Sequence, residues 1–87
     1  MGEKKIIAEL KRCLCEAQGR VVRYTMMDNG DLARYRMSEG ERALHKARAT
    51  GERNAFRKAL KIMGVREGDI QELIDAVKVQ SKGDTDG

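Results

Sequence analysis

The side chains of this sequence best suited to chemistry are arginines and lysines, and the chemistry they suit is anion recognition. Arg20, Arg23, Arg34 and Arg36 fall in one short stretch. A guanidinium is a planar fork of donors that meets a phosphate or a carboxylate with two parallel hydrogen bonds. Further on, Arg53, Arg57 and Lys61 recur every four residues with Lys58 beside them. On a helix that spacing makes one ridge. These eight residues are the candidate binding surface, for nucleic acid or for an acidic protein. Their setting reinforces them. Arg20 to Arg66 holds twelve basic residues against five acidic ones, a net of +7 inside a whole-chain charge of +4. A field of that sign attracts polyanions. The stretch that follows is acidic, with Glu67, Asp69, Glu72 and Asp75.

Other chemistries lack their residues. There is no phosphate loop, no dinucleotide fingerprint, no His-x-x-x-His and no Asp-rich metal loop. His45, the one histidine, has no nucleophile near it in sequence and reads as a surface residue. Cys13 and Cys15 lie two apart on an expected helix, pointing too far apart to bridge. With a single histidine they cannot close a zinc site of Cys and His alone. Cys13 reads as a small core residue and Cys15 as an outward one. No catalysis, cofactor or metal is expected.

The elements that must position the cations follow from periodicity. Ile6, Leu10, Cys13, Leu14 and Ala17 predict an amphipathic helix over Glu3–Gln18, with Gly19 as its left-handed cap. Arg20–Met37 predicts a β-hairpin, because Asn29-Gly30 is a strong type I′ turn signal. In that register Val22, Tyr24, Met26, Ala33, Tyr35 and Met37 share an apolar face, with Tyr24 opposite Tyr35. Arg23, Thr25, Arg34 and Arg36 share the other, with Met27 and Leu32 exposed among them. The one conflict is Asp28 opposite Asp31. Ser38 and Glu41 form a capping box for a second helix to about Ala49. Thr50-Gly51 then interrupts it, and Glu52–Met63 is a third helix with Ala55, Phe56, Ala59, Leu60, Ile62 and Met63 inward. The alternative is one helix from Glu39 to Met63, which asks Arg48 and Glu52 to sit near the buried side. Gly64-Val65 ends this region, and Asp69 with Glu72 caps a last helix striped by Ile70, Leu73, Ile74 and Val77.

The expected fold class is therefore α+β: an N-terminal helix, a hairpin, then two or three helices packed on its apolar face. Residues 1–80 make one compact domain and 81–87 a disordered tail. With one Phe and no Trp in 87 residues the core is small, and a homodimer is one way to enlarge it. No apolar run is long enough to span a membrane, and Lys4 and Lys5 precede no signal-like stretch, so a cytoplasmic protein is expected. The expected function is a small nucleic-acid-binding regulator of DNA or RNA, using the basic hairpin face and the helix ridge. The alternative is an inhibitor or adaptor docking on an acidic partner. A helix-turn-helix frame over Phe56–Ile74 reads as ordinary packing, since its second helix would carry carboxylates toward phosphate.

Overall fold

A computed structural model describes residues 2–77, and among them there is no strand. Four helices account for the fold: α1 (Glu3–Met26), α2 (Asn29–Arg34), α3 (Glu39–Ile62) and α4 (Glu67–Ala76). The α+β expectation is corrected to an all-helical fold. The tail at 81–87 lies outside the described residues.

The frame is an antiparallel pair of 24-residue helices, α1 and α3. Tyr24 meets His45 at one end, Arg20 meets Glu52 further along, and Leu14 shares a buried cluster with Leu60 at the other. The expected end of α1 at Gly19 is absent because the helical stripe runs on. Leu14, Ala17 and Val21 are all buried, at steps of three and four. Gly19 costs roughly 1 kcal/mol against alanine in a helix, too little to break one packed along its length. Residues 20–26, expected as a strand, continue the same stripe. Thr25 Oγ1 donates to the Val21 carbonyl at 2.7 Å inside it.

At Asn29-Gly30 the chain begins α2 instead of turning. The Asp28–Asp31 conflict resolves here as a capping box. Asp28 accepts from the Asp31 amide at 2.9 Å, and the Asp28 amide donates back to Asp31 at 3.3 Å. The bond from the Asp31 amide holds the Asp28 carboxyl below its ordinary range. Leu32, expected outward, is buried, and Tyr35, expected against Tyr24, is 59% exposed.

The Ser38–Glu41 box is present as expected, with Ser38 Oγ accepting from the Glu41 amide at 3.1 Å. From it α3 runs unbroken through Thr50-Gly51, so the single-helix alternative is the observed one. The objection to it fails on rotation: Arg48 and Glu52 both face solvent, while Ala49 is buried. Gly64, at φ 96°, ends α3 in a Schellman turn, with Val65 N–H bonded to the Leu60 carbonyl at 3.0 Å. The cap of α4 is Arg66, three residues before the expected Asp69, which instead sits in the first turn 3.6 Å from Arg66. Ile70 and Ile74 of α4 complete the main core with Leu14 and Leu60, and Phe56, Val65 and Leu73 pack around it.

Candidate functional site

The first turn of α3 holds the end of α1. Arg42 Nη1 donates to the Tyr24 carbonyl at 2.7 Å. That carbonyl belongs to the last turn of α1 and has no partner within its own helix. Glu39 binds the same guanidinium, which draws the Glu39 carboxyl down from its ordinary value. Beside it His45 stacks on Tyr24, with ring centroids 5.3 Å apart. His45 is thus a half-buried packing residue, not the surface histidine expected.

The eight sequence-predicted cations separate into two groups. Four of them are engaged by polar side chains of the same chain. Arg20 meets Glu52 at 2.8 Å across the α1–α3 seam. Arg53 donates to Gln18 at 3.1 Å and to its neighbour Asn54. Arg57 binds Glu67 and, at 3.2 Å, Gln71 of α4. Lys61 reaches Glu67 at 3.1 Å. The Glu67 carboxyl is lowered from its ordinary value, first by its hydrogen bond from Arg57 and then by the one from Lys61. Of the carboxylates on the acidic last helix, Glu67 is the one that ties α4 to α3, while Asp69 and Asp75 meet Arg66 and Gln71 locally. The other four, Arg23, Arg34, Arg36 and Lys58, are exposed and make no ion pair among the described residues. No shared face of a two-stranded ribbon unites Arg23, Arg34 and Arg36: Arg23 lies on α1, Arg34 ends α2, and Arg36 sits in the turn after it.

The ridge on α3 is likewise rotated from its expected place. Arg53 and Arg57 are half-buried, on the same side as Arg42, His45, Ala49, Phe56 and Leu60. Ala55 and Ile62, expected inward, face water, and Ile62 is 76% exposed. Leu44 is exposed too, at 58%. Successive steps of four, three, four, three and four residues connect Leu44, Arg48, Gly51, Ala55, Lys58 and Ile62. That spacing is a heptad stripe, and it lies wholly on the solvent side of α3. Arg48 makes no ion pair among the described residues. Leu44, Arg48 and Gly51 are the surface residues that sequence reasoning missed. The signal was present as this second period, masked by the break placed at Gly51. Beside the stripe, Asn54, Arg57, Lys58, Lys61, Ile62 and Glu67 line an open groove of about 670 Å³ where α3 meets α4.

Cys13 and Cys15 are both half-buried and unbridged, so Cys15 is less outward than expected. Burial pushes the Cys15 thiol up, away from the thiolate form that reacts. Among the described residues no three His, Cys, Asp or Glu side chains gather in one place, and no helix is long and apolar enough to cross a membrane. No protein-family model matches the chain, and no match was found among curated proteins or solved structures.

Proposed function

We propose that the protein is a non-catalytic protein-binding module, an inhibitor or adaptor that docks on an acidic partner surface. One observation carries this reading: α3 turns its arginine-rich side toward α1 and α4 and leaves Leu44, Ala55 and Ile62 in water beside Arg48 and Lys58. Apolar side chains interleaved with arginine and lysine suit a protein interface, where burial supplies affinity and charge supplies choice of partner. A phosphate-tracking surface needs cations free to replace counterions, and four of the eight expected ones already hold internal partners.

A second reading, a nucleic-acid-binding regulator, keeps one observation in its favour. Arg23, Arg34 and Arg36 are exposed and without ion-pair partners among the described residues, in the +7 stretch. The two readings part in an electrophoretic shift assay against mixed DNA and RNA at low and physiological salt. The protein-binding reading expects no shift that survives physiological salt. A persistent shift that disappears when Arg23, Arg34 and Arg36 are changed together to Ala would replace it with the second.

A further inference from the structure

The stripe on the outside of α3 has a feature that the fold does not need. Gly51 lies in the middle of a 24-residue helix, where glycine costs roughly 1 kcal/mol against alanine. Folded chains accept that cost where a backbone approaches closely or a conformation demands glycine. Neither applies within this molecule: a β-carbon at Gly51 would meet nothing within 4 Å, and its φ is helical. With Ala47 and Ala55 one turn to either side, Gly51 makes a shallow saddle between two exposed anchors, Leu44 and Ile62. Arg48 and Lys58 stand on opposite flanks of the saddle, both exposed.

Those two cations decide what can lie there. A second copy paired antiparallel along the stripe sets Leu44 against Ile62 and Gly51 against Ala55, but Arg48 against Lys58. Paired in parallel it sets Arg48 against Arg48 and Lys58 against Lys58. Either way a layer of like charges is brought together beside apolar contacts, where screening by water is weakest. An amphipathic helix with carboxylates beside its apolar stripe has the opposite consequence. Its large side chains cover the saddle while glutamates or aspartates meet Arg48 and Lys58.

From this we infer that the outer face of α3 is the seat of an acidic amphipathic helix from a partner protein, laid across Gly51. The inference rests on the protein-binding reading and names the chemistry of the partner. A peptide library tests it, displayed with apolar residues fixed at heptad a and d positions and Glu, Lys or Gln free at the others, selected against the full chain. Glutamate should be enriched. Binding of the recovered peptides should weaken on the order of ten-fold or more for Gly51→Leu, the scale of a blocked interface centre. That variant should melt no lower than wild type, because the added side chain projects into open space and leucine favours helix over glycine. Arg48→Glu combined with Lys58→Glu should turn the selection toward lysine. Recovery of no peptide, recovery without charge preference, or binding indifferent to Gly51→Leu each overturns the inference. So does a wild-type dimer in sedimentation that Gly51→Leu dissociates, although that result leaves protein binding standing. An oligonucleotide shift at physiological salt, with no peptide recovered, removes the protein-binding reading as well.

Discussion

The two ends of the α1–α3 pair are built to different standards. At one end α4 closes the gap: Leu14, Leu60 and Ile70 are wholly buried, and Glu67 ties α4 to Arg57 and Lys61. At the other end α2 buries only Leu32, and Tyr35, Met26 and Leu44 stay in water. Both ends use the same Schellman turn. After α3 the left-handed position is Gly64 at φ 96°, and after α2 it is Arg36 at φ 53°. Glycine accepts that region freely, whereas a residue with a β-carbon is disfavoured there by about 1–2 kcal/mol. The closed end thus has a larger core and an unstrained turn, and the α2 end has neither. Stability is concentrated where α4 packs, and the α2 end is the part of the fold that opens at least cost.

Substitutions can break or sharpen this contrast. Leu60→Ala should have the largest effect, a loss of about 2–5 kcal/mol in urea unfolding, since the leucine is fully buried in one cluster with Leu14, Ile70 and Ile74. Leu32→Ala should cost visibly less, and equal losses would remove the distinction between the ends. Next comes Gly64→Ala, expected to destabilise by about 1–2 kcal/mol through its left-handed backbone alone. The mirror experiment, Arg36→Gly, should stabilise by up to about 1 kcal/mol and slow amide exchange at Met37, whose N–H donates to the Leu32 carbonyl and closes that turn at 2.8 Å. An Arg36→Gly protein less stable than wild type would show that the arginine side chain has a folded-state role.

The smallest effect is a pH dependence at the closed end. Glu67 has its folded pKa depressed by Arg57 and Lys61. Its contribution is therefore complete above the ordinary glutamate value of about 4.3 and is lost as pH falls through the depressed folded value. Protection factors of the α4 amides, with the intrinsic pH dependence of exchange divided out, should fall in acid. Glu67→Gln should flatten that acid response in α4, while the one around the Asp28 and Glu41 caps, whose carboxyls are also depressed, stays as it was. An unchanged acid response in α4 would show that Glu67 is not what pins it.

Local chemistry alone determined several parts of this protein. The Ser38–Glu41 box, the Gly64-Val65 turn and the apolar stripe that sets Ile70 and Ile74 on one side of α4 each depend on residues within a few positions of one another. The Asp28–Asp31 cap was equally legible in kind, but the Asn29-Gly30 signal beside it favoured a different structure. Tertiary packing decided the rest: that residues 20–26 coil, that Gly19 and Gly51 lie inside helices, and that α3 turns Arg53 and Arg57 inward and Ile62 outward. Helix, strand and break differ locally by about 1 kcal/mol per residue or less. A 24-residue helix lying along a partner outweighs such differences, and which face it presents depends on the neighbour it meets, which no short window of sequence contains.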